Sequence, residues 1–346
     1  MSRIPFEEMH AVVRDAFVNA GMSEPDASVC ARVHTESSCD GVYSHGLNRV
    51  ARFVDYVRRG LIDLGGRPTP VRQLGALEVL DGNFGPGILN ALFAIDRAQE
   101  IAAAQGVGIV TLRNTTHWMR GGTYGWRAAE RGSVAIAWTN TEACMPAWGA
   151  RNPRIGNNPF VIAVPRAKGP LVLDMAMSQY SYGKLQVTRL KGETLPTPGG
   201  FDAEGHLTAE PGPIEQSMRI LPTGYWKGSG LAILLDATAA ILAEGLATHG
   251  IDRVGRGSCG GCSQVFIAFD PRRLGGAEFT ERVADGVVDY VRSSTPAEDT
   301  REVRYPGEAQ LRTRADHRAH GIVVDDGVWA QVLALAGRAP HKGAGT

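Results

Sequence analysis

No stretch of this sequence approaches the roughly 20 consecutive apolar residues that a membrane-spanning helix needs. The nearest, "LAILLDATAAILAEGLA", is broken by Asp236 and Glu244 and reads as a buried core helix. Neither sign of charge is in surplus. Lys+Arg and Asp+Glu each count 36, so nothing steers the chain as a whole toward nucleic acid or anionic lipid. The opening "MSRIPFEEMHAVVRDAF" carries charges where a secretory leader needs an uninterrupted apolar core. Cysteines are few, 5 among 346 residues, odd in number and without framework spacing. These absences predict a cytoplasmic, reduced protein that contacts neither membrane nor nucleic acid.

Standard phosphate and metal signatures are missing too. "DGNFGPGILNALFAIDRA" stands between a strand and a helix, but Gly85 and Gly87 are followed by Asn90, so G-x-G-x-x-G fails. No acidic residue closes the next strand, "VGIVTLRN", where a ribose would be held. There is no Walker A loop. "CGGC" at 259–262 has no second cysteine pair, which leaves incidental loop cysteines and no expected metal.

The pattern that is present predicts an α/β protein. Apolar spacing gives a helix over 5–20, a second from Ser23 with Pro25 in its first turn, and a third from Gly46 or Leu47 to Gly60. Strands are expected at "LEVLDG", "VGIVTLRN", "SVAIAWTN", "PFVIAVP", "PLVLDMAM" and "QVFIAFD", with helices near 87–106, 122–131, 228–248 and 277–293. The short "RAKG" link implies a hairpin, hence a mixed, largely antiparallel sheet flanked by helices. The expected division is a helical subdomain, 1–75, completed by about 276–337, around an α/β domain, 76–275. A Pro/Gly-rich loop is expected at 195–215, and a disordered tail over 338–346.

Chemistry concentrates in three places. In "GVYSHGLNR", His45 lies between Ser44 and Gly46 with Arg49 four residues on. At a helix N-terminus this set would hold a carboxylate beside a carbonyl that the imidazole protonates. Taken alone, a helix start capped by Ser44 with a surface histidine explains it slightly better. A second cluster, "NTTHWMRGGTYGW", shifts the balance, because His117, Trp118 and Arg120 follow directly on a strand, where α/β proteins bind ligands. In "LPTGYWKGSG", glycines flank Lys227 before a strong helix. That suits a dinucleotide pyrophosphate and, equally, close helix packing.

Together with "RIGNNPFVIAVP" and "LDMAMSQYSYGKL", these motifs in this order resemble the malate/L-lactate dehydrogenase type-2 family, from about residue 5 to 335. The likeness is closest to its branch acting on a diketo sugar acid. The resemblance implies a non-Rossmann NAD(P)-dependent oxidoreductase that reduces a 2-oxo (sugar) acid, usually with NADH, NADPH not being excluded, and commonly a homodimer. His45 matches the family's proton donor, Ser44 and Arg49 its companions, and His117 a second pocket histidine. Dinucleotide contacts would fall on Pro170, Leu171, Val172, Leu173, Asp174, Met175 and Ala176, on Trp226 and Lys227, and on Gly307, Glu308 and Ala309. The chain departs from typical members at Arg120, where many carry a small residue, and at Tyr225–Trp226, where two glycines are usual. Arg120, Trp118 and Trp148 would supply polar and stacking surface for an extended hydroxylated acid. Malate, lactate, ureidoglycolate or a cyclic imino acid such as piperideine-2-carboxylate are the alternative substrates. A metal-dependent hydrolase and a non-catalytic sugar-acid binder are the alternatives outside the family.

Overall fold

A computed structural model describes residues 2–297 and 302–339. The expected disordered tail lies, from residue 340 onward, outside the described residues.

The chain starts with a short strand, β1 (Ser2–Ile4), then α1 (Phe6–Asn19) and α2 (Glu24–Cys39). Ser23 caps α2 by accepting the Asp26 N–H, with Pro25 in the first turn, as its sequence predicts. The third helix differs from expectation. Two 3-10 turns, Tyr43–His45 and Leu47–Arg49, precede α3 (Val50–Arg58). Gly46 between them sits at φ −112°, ψ −125°, outside any helix. His45 therefore precedes a backbone break and does not cap an α-helix.

The α/β part follows: β2 (Thr69–Leu74), β3 (Leu77–Asp81), α4 (Gly87–Gln105), β4 (Val107–Thr115), α5 (Gly122–Glu130) and β5 (Val134–Thr139). Two short strands, β6 (Met145–Pro146) and β7 (Pro153–Ile155), form a ribbon ahead of β8 (Phe160–Val164) and β9 (Leu171–Met175). Next come α6 (Tyr182–Leu190), β10 (Gly200–Phe201), β11 (Leu207–Thr208), α7 (Pro211–Ser217), α8 (Trp226–Leu242), α9 (Thr248–Val254) and β12 (Cys262–Phe269). The chain closes with α10 (Gly276–Arg292), α11 (Glu308–His320), β13 (Ile322–Val324) and α12 (Asp326–Leu335). The loop expected at 195–215 is thus structured: β10 and β11 pair, and Ile214 of α7 is fully buried. Its prolines and glycines punctuate short elements and do not prevent them.

Seven strands form the central sheet in the order β2-β3-β4-β12-β5-β8-β9. Only the β3–β4 pair is parallel, across α4; the others run antiparallel, and β8 and β9 make the expected hairpin. Side chains along β12 alternate between two cores. Phe266 and Ala268 join Ile95 of α4 and Tyr124 of α5, while Val265 packs with Ala232, Leu235 and Ala239 of α8. A sheet covered on both faces favours such an apolar run, here Val265 to Phe269.

A third core lies among α1, α2 and α3, joined by Ile322, Val324, Trp329, Val332 and Leu333 from the far end of the chain. β1 pairs with β13, so the two ends of the sequence are sewn together. By contrast α10 lies against the β8–β9 turn, where Asp285 holds Arg166 at 2.6 Å and Lys168 at 2.8 Å.

Asp40, at the end of α2, ties the helical layer to the rest. It accepts from Arg314 of α11 at 2.7 and 2.8 Å and from Arg120 in the loop after β4. Arg120 also lies 3.7 Å from Asp174 on β9. Asp40 and Arg120 are only 5% and 4% exposed, so deleting one partner strands the other's charge. Asp40→Ala is expected to cost about 3–5 kcal/mol of unfolding free energy. A urea denaturation midpoint indistinguishable from that of the parent protein would contradict this.

Candidate active site

The turn carrying His45 is held by the backbone of α2. Ser38 donates its hydroxyl to His34 O at 3.0 Å and accepts the Leu47 N–H at 2.8 Å. A Cβ on Gly46 would fall 2.2 Å from Ser38 Oγ and 2.9 Å from His34 O, so only glycine allows this approach. Leu47 anchors the turn in the helical core, and Ser44, His45 and Arg49 are left facing outward into a cavity.

His117 arrives from the end of β4. Thr116 Oγ1 accepts the Gly87 N–H and donates to Gly85 O, both at 2.9 Å, fixing the loop on the start of α4. Met119 adopts a left-handed φ of 63°, which turns its N–H back onto His117 Nδ1 at 2.8 Å. A nitrogen that accepts from an amide carries no proton, so the neutral ring holds its hydrogen on Nε2. The His45 and His117 ring centroids are 5.7 Å apart.

The electrostatics are one-sided. Burial, then the charges of Arg49 and Arg120, push the His45 imidazole down to about 4. Burial, then Arg49 and His45, hold His117 well below the ordinary imidazole range. Ser44 Oγ lies 3.0 Å from His45 Nδ1 and takes the place of an acidic partner. Among the described residues Arg49 has no ion pair, and burial followed by its neighbour Arg52 lowers its pKa.

The cavity encloses about 320 Å³. Its wall includes the edge of Trp118, which is otherwise buried and stacked on Tyr124 at 5.4 Å. The start of α6 closes one side: Ser181 caps the helix, and a Cβ on Gly183 would sit 3.0 Å from Ser44 Cβ. Glu142, which the motifs did not single out, accepts from Ser258 Oγ and from the Cys259 N–H at 2.8 Å. This bends "CGGC" into the wall. A thiol hydrogen bond with Cys262, then burial, hold the Cys259 thiol far above its usual range, so it is no nucleophile. Met119, Met218 and Cys259, all in the wall, have positive φ; such strain gathers at functional sites. Among the described residues no group of three or more His, Cys, Asp or Glu could hold a metal ion.

Arg120 and Trp148 lie elsewhere. Arg120 is consumed by Asp40 and Asp174 and does not line this cavity. Trp148 is 49% exposed, packs edge-on against Tyr225 at 5.4 Å, and lines a neighbouring cleft of about 370 Å³.

The segments matched to dinucleotide contacts are arranged along β9, the terminal strand of the sheet. At its start, Val172 N–H donates to Pro306 O at 3.0 Å, and a Cβ on Gly307 would lie 3.1 Å from Val172 N. Residues 170–172 and 306–309 therefore touch. Beyond its other end, Gln179 N–H bonds Leu221 O at 2.7 Å and Thr223 N–H bonds Met177 O at 2.9 Å. These bonds bring in the turn that carries Tyr225, Trp226 and Lys227. Asp174 points inward, accepting the Gly122 N–H at 2.8 Å, and burial raises its pKa. Glu308 is likewise occupied, by Arg292 and Arg312.

Comparison with known proteins identifies the family. The sequence model described as malate/L-lactate dehydrogenase matches residues 4–333. A protein of Shigella boydii serotype 4 named 2,3-diketo-L-gulonate reductase is 43% identical over 333 residues, covering 96% of this chain and 100% of its own. Two solved structures superpose over nearly the whole chain. Sulfolactate dehydrogenase of Methanocaldococcus jannaschii has a TM-score of 0.86 at 27% identity, covering 98% of each chain. Delta1-piperideine-2-carboxylate reductase of Pseudomonas syringae pvar. tomato has a TM-score of 0.85 at 27% identity, covering 97% of this chain and 100% of its own.

The charge pattern has a direct test. In proton-resolved NMR of the ligand-free protein His45 should titrate near 4, not at its ordinary 6.5. Added oxalate, an anion for Arg49, should raise that value by about one unit or more. A His45 ring that titrates normally and ignores oxalate would refute the electrostatic description.

Proposed function

Because the chain belongs to the malate/L-lactate dehydrogenase family, we propose that it is a nicotinamide-dependent reductase of a 2-oxo sugar acid, with 2,3-diketo-L-gulonate as its substrate. The observation that carries this reading is an unpaired Arg49 beside two uncharged imidazoles in one enclosed cavity. Such a site lacks an anion, and a 2-oxo acid brings its carboxylate next to the carbonyl to be reduced.

The residues along β9 fit a dinucleotide. By strand alternation, Asp174 shares with Val172 a backbone N–H and C=O directed off the sheet edge. Five strand residues span roughly 17 Å, enough for an extended ligand between Gly307 and Trp226. Gly307, with φ of 96° and only tight space for a Cβ, leaves the backbone open to close approach by a ligand. Pro170–Ala176, Trp226–Lys227 and Gly307–Ala309 would hold it. When bound, a reduced nicotinamide supplies the hydride.

The chain's own groups do the rest. Arg49 fixes the substrate carboxylate by charge-assisted hydrogen bonds and so sets which carbonyl face is presented. His117, locked as an Nε2–H donor, hydrogen-bonds without exchanging its proton. Protonated His45 gives its Nε2 proton to the carbonyl oxygen as negative charge develops there, while Ser44 Oγ accepts from Nδ1 and keeps the ring aligned. The free site disfavours protonated His45. The incoming carboxylate offsets Arg49 and makes that form accessible, so substrate charge prepares its own acid.

NADH is proposed as the preferred cofactor, with NADPH tested beside it. All five cysteines are free thiols, which fits a reducing, cytoplasmic setting. A homodimer is proposed from α8. Its inward face is built of small residues (Gly228, Ser229, Ala232), whereas Leu231, Leu234 and Ile241 are exposed. An apolar face of that kind on a helix marks an interface. Light scattering should give twice the chain mass, and Leu234→Glu with Ile241→Glu should give the monomer; a monomeric parent protein would end the dimer proposal.

His45→Ala is expected to lose about 10²–10⁴-fold in turnover with unchanged unfolding behaviour. In the parent enzyme the reductive kcat/KM should fall about tenfold per pH unit above the depressed His45 pKa, because only the protonated ring donates. The oxidative kcat/KM, which needs the neutral ring, should stay flat over the same range. Retention of more than half the activity in His45→Ala, assayed by NADH oxidation, rules the mechanism out.

A further inference from the structure

Among the side chains lining the cavity, one buried amide has no hydrogen-bond partner at either of its polar atoms. Gln264 on β12 is 1% exposed, and neither its Oε1 nor its Nε2 meets a hydrogen-bond partner among the described residues. It nonetheless forms part of the wall with His45, Arg49 and His117. A buried polar atom without a partner keeps its desolvation cost uncompensated, and this amide has two such atoms.

The fold has no need of a carboxamide there. Gln264 lies opposite Thr139 of β5, with a register shift against β4 between Cys262 and Gln264. Its neighbour Ser263 is satisfied: the hydroxyl donates to Leu246 O at 2.9 Å, and the backbone N–H donates to Asn140 Oδ1 at 2.7 Å. Two residues on, Phe266 fills the same face with an apolar ring. Methionine would occupy the volume of Gln264 without the desolvation penalty.

We propose that Gln264 is a specificity residue whose amide binds a substrate hydroxyl on a carbon beyond the reacting carbonyl. A hydroxyl donates once and accepts twice, so it can give its hydrogen to Oε1 or take one from Nε2. Polyhydroxylated chains carry several such groups; pyruvate has none beyond its carbonyl. A site built to bond a hydroxyl rejects an analogue lacking it, because the protein's own polar atoms stay unpaired. This inference rests on the reading of the cavity as a 2-oxo-acid site and adds which part of the acid is recognised.

The test is Gln264→Met, with kcat/KM measured on 2,3-diketo-L-gulonate and on pyruvate, together with thermal unfolding. The expected result is a roughly 10- to 100-fold loss on the hydroxylated acid, a change within about twofold on pyruvate, and a melting temperature that does not fall. Equal losses on both substrates, or an unaltered ratio between them, would overturn the assignment. If the Met variant does not fold, Gln264→Leu supplies the same ratio, since it removes both polar atoms of the amide and adds no charge beside Arg49. Failure of the parent protein to oxidise NADH with any 2-oxo acid would instead count against the function proposed above, before Gln264 is reached.

Discussion

A guanidinium and two imidazoles share one partly buried cavity, and the arginine is the group that keeps its charge. Its pKa is lowered but starts so high that it stays protonated, whereas an imidazole needs little push to become neutral. The fold enforces that outcome twice. Packing around the 43–49 turn removes water from His45, and the Met119 amide occupies the nitrogen on which His117 would have to be protonated. Two similar side chains thus receive different duties from their surroundings: one ring able to gain and lose a proton, the other a fixed donor. Placing an acid beside Arg49 would have satisfied the arginine and abolished the attraction for a carboxylate. The nearest acid in the wall, Glu142, is instead turned onto Ser258 and Cys259.

How much of this could be read from the residues depends on the range of each interaction. Local patterns were legible. Apolar alternation marked the strands, Ser23–Pro25 marked a helix start, and the short link at 166–169 marked a hairpin. "SHG" alone read slightly better as a capped helix start, and it was "THW" at a strand end that shifted the balance. What stayed hidden was set by distant partners. Arg120 looked free to meet a substrate because its counter-ion, Asp40, lies 80 residues away in sequence. β1 has three residues and exists only through pairing with β13, at the other end of the chain. The 3-10 turns around Gly46 follow from contact with Ser38 and His34 and not from any local helix signal. Gln264 sits in a run that reads simply as a strand; only its missing partners single it out.

The missing glycine fingerprint has a structural counterpart. In a doubly wound fold the pyrophosphate meets a helix N-terminus behind a parallel strand. Here the pairing is mostly antiparallel, and the segments that match dinucleotide contacts follow the open edge of β9. Exposed edges invite aggregation unless something covers them. Pro306 caps one end of this edge and the 221–227 turn the other, so the stretch between is bounded at both ends. A bound dinucleotide along it would use backbone groups that the sheet leaves unpaired.

Arg120 connects these parts. It bonds Asp40, reaches toward Asp174, and adds the second-largest charge effect on His45 after Arg49. The same buried cation therefore fastens the helical layer to the edge strand and helps keep the His45 pKa down from behind. A protein that gave Arg120 only a structural task could replace the whole cluster with apolar side chains and gain stability. Replacing it here would also remove positive potential from the cavity, letting His45 hold a proton more readily before any anion arrives. Arg120 thus bears on the acid strength of His45 as much as on packing, although it does not line the cavity.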